Sequence, residues 1–168
     1  MKQSPWLPAV IAAAVVIVDR ITKLYIQSAY SLSQVTTVIP GFFYIDHAEN
    51  PGAAFSLFAE SHSALRGILL VGVSVTVMAV IAAMLWGPSR NAHSGLMRVA
   101  LSLVLGGALG NLLDRLFRGT VTDFLQFIFG SYEFPSFNAA DSMITIGAGL
   151  LIIDLFLTRH HQPAANQS

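Results

Sequence analysis

One stretch constrains this chain more than any other. Gly67 to Trp86 is twenty residues without a charged side chain, closed off by Arg66 at one end and Gly87-Pro88 at the other. A helix of that length, rising about 1.5 Å per residue, crosses a hydrocarbon core about 30 Å thick. Three more segments repeat the pattern with interruptions. Trp6 onwards is uncharged to Val18, then carries Asp19, Arg20 and Lys23 before fading near Ser28. Leu96 to Leu116 is uncharged from Val99 to Leu113 and ends at Asp114-Arg115, while Phe137 to Thr158 contains Asp141 and Asp154. The expected fold is an all-α membrane protein, a single integral domain over 1–168 with four transmembrane helices. Its spans are expected at about 6–28, 67–86, 96–116 and 137–158, with outer loops at about 29–66 and 117–136.

Composition excludes the alternatives. Charged residues make up 11% of the chain and hydrophobic ones 54%, against about 25% charged in a soluble domain. Nine basic and nine acidic residues leave zero net charge, so no nucleic-acid partner is expected. The chain has no cysteine, which removes zinc ribbons, Fe–S clusters and thiol catalysis. It also means that the chain cannot itself carry the acylated Cys of a lipoprotein. The five His fall at 47, 62, 93, 160 and 161, with no pair at ligand spacing on one span, so neither a metal nor a cofactor is expected. A Gly-x-Ser-x-Gly elbow and a Gly-x-Gly-Asp motif are both absent, and a Ser–Lys pair would need Lys2 or Lys23.

Lys2 ahead of an apolar run resembles a cleavable signal peptide, but the run continues through Asp19-Arg20 without a small-residue cleavage site, so the segment reads as a retained span. Lys2, Arg90, Arg98 and Arg159 put both termini and the middle loop in the cytoplasm by the positive-inside rule. The loops holding Asp46, Glu49, Glu60 and Glu133 then face outward. Residues 35–58 are rich in β-branched and aromatic types and punctuated by Pro40-Gly41 and Asn50-Pro51-Gly52, which predicts short strands joined by turns. Gly119 to Phe134 is expected to form in part an interfacial helix, with Phe124, Phe127 and Ile128 on its apolar side. Ten of the eleven Phe lie between Phe42 and Phe58 or between Phe117 and Phe137, so both loops are expected to rest on the outer leaflet; a pair of mobile apolar loops is the other reading.

An ionisable residue within a span usually marks function or a buried pair. Asp19 has Lys23 at i+4, and Asp114 has Arg118 at i+4 with Arg115 beside it, spacings that predict structural ion pairs. Asp154, thirteen residues beyond Asp141, is expected at the cytoplasmic end. Asp123 and Asp141 have no Lys or Arg within four residues on either side. One follows the outward exit of the third span and the other opens the fourth. Two readings remain open for them: unrelated interfacial acids, or a pair sharing one proton, as aspartic proteolysis requires. Gly106 and Gly110 form a Gly-x-x-x-Gly pattern suited to close helix packing. Asn50, Asn111 and Asn138 read singly as a turn residue, an interhelical hydrogen bonder and a helix cap.

Together these blocks resemble a known family. Asn50-Pro51-Gly52-Ala53-Ala54-Phe55-Ser56, Gly106-Gly107-Ala108-Leu109-Gly110-Asn111-Leu112-Leu113-Asp114-Arg115, Val121-Thr122-Asp123-Phe124 and Phe137-Asn138-Ala139-Ala140-Asp141-Ser142 resemble the signature blocks of lipoprotein signal peptidase, signal peptidase II. Asp19-Arg20-Ile21-Thr22-Lys23 is similar to its first block. The resemblance implies a bacterial inner-membrane aspartic endopeptidase that cuts prolipoproteins just before a diacylglyceryl-modified Cys. It implies Asp123 and Asp141 as the catalytic dyad, with Asp19, Lys23, Asn50, Gly52, Asn111, Arg115 and Asn138 supporting the dyad or contacting substrate. It implies membrane lipids and globomycin-type cyclic peptide inhibitors as further partners; a monomer is expected. A small proton-coupled transporter is the alternative from another class, disfavoured by the lack of an inverted repeat.

Overall fold

The polar residues of the first apolar segment decide how the helices pack. The computed structural model describes residues 4–52 and 63–159. Helix α1 (Leu7–Ala29) starts with Pro8 in its first turn, where the missing N–H costs nothing. Its buried residues are Pro8, Ala12, Val15, Asp19, Lys23 and Ile26, a seam spaced three and four apart. Val10, Ile17, Val18, Ile21 and Leu24 are exposed instead. A soluble helix would bury the second set and expose the charges. This inversion fits an apolar surrounding, where the charged groups must find partners inside the protein.

Strands β1 (Val35–Ile39) and β2 (Phe43–Asn50) follow, then α2 (Ser63–Trp86), a short 3-10 turn (Pro88–Ala92) and α3 (Gly95–Arg118). Strands β3 (Val121–Phe129) and β4 (Tyr132–Glu133) lead into α4 (Ala139–Arg159). Among the described residues three helical segments are long and apolar enough to cross a membrane: Gly67–Trp86, Gly95–Arg118 and Ala139–Thr158. Helix α3 is the centre, packed against α1, α2 and α4. Small residues bring it close. A Cβ added at Gly106 would stand 2.8 Å from the Ala12 carbonyl of α1, and one at Gly107 would stand 2.4 Å from the Ala140 carbonyl of α4. Gly106 and Gly110 of the Gly-x-x-x-Gly pattern both pack on α1, at Ala12 and at Asp19, while Gly107 between them packs on α4. Ile81 and Leu85 of α2 bury against Leu101, flanked by Met84, Met97, Val104, Leu105 and Leu151.

The sheet is antiparallel in the order β1-β2-β3-β4. The strands expected near 35–58 are present at Val35–Ile39 and Phe43–Asn50, with Gly41 at φ +73° in the turn between them. Residues 53–58 of that expectation, Glu60, His62, Lys2 and the tail after Arg159 lie outside the described residues. The second outer segment corrects the sequence reading: no interfacial helix forms over 119–134 among the described residues, because Val121–Phe129 is a strand paired to β2. The i, i+3, i+4 spacing of Phe124, Phe127 and Ile128 is helical. The run nevertheless consists mostly of β-branched and aromatic residues, and β2 offers it a hydrogen-bonding edge. Phe43 stacks on Phe127 at 4.8 Å between ring centroids and Phe127 on Phe137 at 5.9 Å, so aromatic packing fixes the same register.

Two ion-pair expectations divide. Asp19 and Lys23 pair at 2.8 Å as the i+4 spacing predicts. Asp114 does not pair with Arg118; it pairs with Arg20 and with Lys23 of α1. Asp114 is fully buried where α3 meets α1, so the charges within reach are those on the facing helix. Arg118, at the exposed end of α3, turns to Glu49 and Gln27. Asp154 accepts a hydrogen bond from Ser94, the residue that caps the start of α3 through Met97 N–H.

Candidate active site

Strand register places the first carboxylate. Ala48 pairs with Asp123 and Asn50 with Val121, so Asn50 and Asp123 share one face of the sheet on neighbouring strands. The Asn50 side-chain amide donates to Asp123 Oδ2 at 3.0 Å. Its own carbonyl accepts from Gly52 N–H at 2.8 Å, a turn that Gly52 closes at φ +90°, in the left-handed region that favours glycine. The turn thus orients the amide towards Asp123.

Helix capping places the second. Phe137 pairs with Leu125 of β3 in both directions, N–H to carbonyl, which brings the start of α4 alongside Asp123. Asn138 Oδ1 accepts from Asp141 N–H at 3.0 Å while Asp141 Oδ2 accepts from Asn138 N–H at 3.2 Å. This reciprocal exchange is a capping box, satisfying two backbone donors that the helix leaves open. It leaves Asp141 Oδ1 for another donor, and the Asn111 amide of α3 supplies it at 2.7 Å.

Two asparagines join the carboxylates. The Asn138 amide donates to Asp123 Oδ1 at 2.7 Å and to Asn111 Oδ1 at 3.2 Å. Asn111 Oδ1 also accepts from Lys23 at 2.9 Å. Lys23 is fully buried and lies 2.8 Å from Asp19 and 2.7 Å from Asp114. Asp19 in turn accepts from Ala140 N–H in the first turn of α4 at 3.1 Å. Asp19, Arg20, Lys23 and Asp114 therefore form a balanced set, two positive and two negative charges. An unbalanced set would be far more costly to bury.

Burial pushes the Asp123 carboxyl up from the usual carboxylate range to about 6, and the nearby Asp141 charge adds to the rise against the hydrogen bonds from Asn50 and Asn138. Arg115 reaches the Asn111 carbonyl at 3.4 Å, and its charge acts on Asp141, Asp123 and Asp114. With Pro51 and Leu116 it lines an apolar cavity of about 750 Å³ bounded by Ile68, Leu70 and Val71 of α2. A second apolar groove of about 420 Å³ reaches Asp141 itself, lined by Phe134, Phe137, Ser142, Thr145 and Ile146.

All nine residues singled out in the sequence thus lie around one network: the two carboxylates, Asn50, Asn111, Asn138, Lys23 and Asp19 directly, with Gly52 and Arg115 at its edge. Arg20 and Asp114 belong to it as well and were not read as members. The i+4 spacing of Asp114 points to Arg118 on its own helix, and Arg20 has no spacing signal of its own. Among the described residues no group of three His, Asp or Glu side chains is placed to hold a metal.

A family model described as signal peptidase (SPase) II matches residues 11–157. The chain is 42% identical to the lipoprotein signal peptidase of Solibacter usitatus over the whole of both chains. It is 39% identical to that of Symbiobacterium thermophilum, over 90% of this chain and 95% of the relative. A solved bacterial membrane enzyme superposes with a TM-score of 0.80 at 30% identity, covering 96% of this chain and 94% of its own. The network of carboxylates and asparagines is built from the sequence blocks that first suggested this relationship, and the chain belongs to the signal peptidase II family.

Proposed function

We propose that this aspartic peptidase cleaves diacylglyceryl-modified prolipoproteins immediately before the lipidated Cys, with Asp123 and Asp141 as its catalytic dyad. The observation that carries the reading is the pair of asparagines, Asn111 and Asn138, that tie both carboxylates into one network. In this scheme Asp123, whose carboxyl burial makes easier to protonate, acts as the acid that donates to the scissile carbonyl. Asp141 takes a proton from the water that attacks the carbonyl carbon. The resulting gem-diol collapses, its C–N bond breaks, and the amine of the lipidated Cys leaves with a proton.

Each supporting residue has a role in this scheme. Asn50 and Gly52 hold Asp123, Asn138 and Asn111 hold both acids, and Lys23 with Asp19 holds Asn111. Arg115, at the mouth of the larger cavity, contacts the peptide backbone of the substrate. The two apolar grooves suit acyl chains and the apolar helix of a signal peptide, and globomycin-type cyclic peptides compete for the same space.

The substrate stays anchored in lipid, so the cut must occur at a membrane boundary. In this reading α1 is a fourth span, its exposed Ile17, Val18, Ile21 and Leu24 facing lipid. Both termini lie in the cytoplasm of a bacterial inner-membrane protein. The dyad lies near the outer face and the aromatic sheet rests on the outer leaflet, in a protein that works as a monomer. Purified protein incubated with a diacylglyceryl-modified precursor tests the activity. The expected product begins with the lipidated Cys, and its formation stops with a globomycin-type peptide. A product beginning at any other residue contradicts the reading.

A further inference from the structure

The face of β2 and β3 opposite Asn50 and Asp123 carries a second polar network, which the proposed chemistry does not use. Glu49 pairs with Thr122 across the strands, one residue from Asn50 and one from Asp123. Glu49 accepts from Thr122 at 2.9 Å, from Arg118 at 3.0 Å, from His47 at 3.2 Å and from Thr120. Gln27 of α1 donates to Thr122 at 2.6 Å and accepts from Arg118 at 3.1 Å. The contacts close into a ring: Gln27, Thr122, Glu49, Arg118 and back to Gln27. It links α1, β3, β2 and α3, four of the elements that supply dyad-network residues. His47 lies beside it, with Nε2 3.2 Å from Glu49 and Nδ1 2.9 Å from the Tyr30 carbonyl at the end of α1, two acceptors of which a neutral imidazole donates to one.

We infer that Glu49 is a positioning residue for Asp123, bracing from behind the two strands whose front face presents the Asn50–Asp123 pair. The geometry supplies the reason. The register of β2 against β3 slips by one residue between Ile45 and Ala48, immediately before Glu49. Such a bulge breaks the ladder locally, bends the strand and increases its twist. A carboxylate contacted from β2, β3, α3 and the Thr120 turn between α3 and β3, placed just past the bulge, fixes the strand where Asn50 must meet Asp123. Thr122 is fully buried, so its hydroxyl has no water to replace Glu49 or Gln27. Burial works against ionised Glu49, yet the bonds from Thr120, Thr122 and His47 and the Arg118 charge together hold its carboxyl below the usual value. The ring is therefore ionised and intact at neutral pH.

The inference rests on Asp123 being catalytic, and the test separates the two. Glu49→Ala, Glu49→Gln and Thr122→Val are assayed beside Asp123→Asn on a diacylglyceryl-modified precursor, with melting temperature in detergent as the fold check. Positioning predicts that E49A lowers kcat about tenfold or more with KM within about twofold, since a displacement near 1 Å costs that much or more. E49Q, which keeps an acceptor for Thr122, recovers most of that loss. T122V lowers kcat in the same direction and decides the matter if E49A does not fold. Folded E49A and T122V with wild-type kcat overturn the inference while D123N stays inactive. An active D123N overturns the dyad reading instead, and the inference with it. Equal losses in E49A and E49Q, tracking melting temperature alone, reduce Glu49 to a structural residue and also overturn it.

Discussion

Asn138 holds Asp123 at 2.7 Å through its side-chain amide and Asp141 at 3.2 Å through its backbone N–H. One residue thus touches both acids, one on a strand and the other in the first turn of a helix. It is fully buried, so no water substitutes for it.

Asn138→Ala removes the bridge and the cap of α4 together. The expected outcome is a fall in kcat of about a hundredfold, because the two acids lose their fixed relation. Stability falls by about 1 kcal/mol from the lost cap. Cleavage kinetics and melting in detergent check the two effects separately.

The sequence made part of this site legible and hid the rest, for physical reasons. Asp123 and Asp141 stood out because no basic residue lies within four positions of either, and Asp19–Lys23 because i+4 spacing is local. The partners of Asp114 were hidden, since Arg20 lies 94 residues away and only helix packing brings it near. The strand at Val121–Phe129 was misread because its apolar residues fit a helical spacing as well as a strand, and pairing to β2 decided between them. Glu49 reads as an ordinary loop acid for the same reason: its donors come from β3, α3 and the Thr120 turn between them.

The raised Asp123 carboxyl predicts a pH effect with a definite sign. An acid whose folded pKa is lifted from 3.8 to about 6 is fully stabilising when protonated below about 4. That contribution is lost as pH rises through 6, amounting to up to about 3 kcal/mol. The melting temperature of Asp123→Asn, relative to wild type, should therefore rise between pH 4 and pH 6 and level off above it. A constant difference across that range would show that Asp123 is not raised.

Lys23→Met leaves Asp19 and Asp114 buried with one fewer positive charge between them. Breaking one partner of a buried ion cluster costs about 3–5 kcal/mol. A large drop in melting temperature is expected, accompanied by loss of cleavage because Asn111 loses its Lys23 bond at 2.9 Å. Unchanged melting would mean the charges are solvated.

Gly107→Ala probes the approach of α3 to α4. Its Cβ would meet the Ala140 carbonyl at 2.4 Å, so the helices must separate at the turn that carries Asp141. Destabilisation of about 1–3 kcal/mol is expected, with cleavage reduced beyond what stability explains. Wild-type melting and turnover together would refute close packing at this point.

The dyad is tested by single-turnover cleavage of a diacylglyceryl-modified precursor by Asp123→Asn and Asp141→Asn, each first shown to melt cooperatively in detergent. Both variants are expected to fold and to make no detectable cut before the lipidated Cys. A folded variant of either kind that still releases the signal peptide at that bond would contradict the dyad.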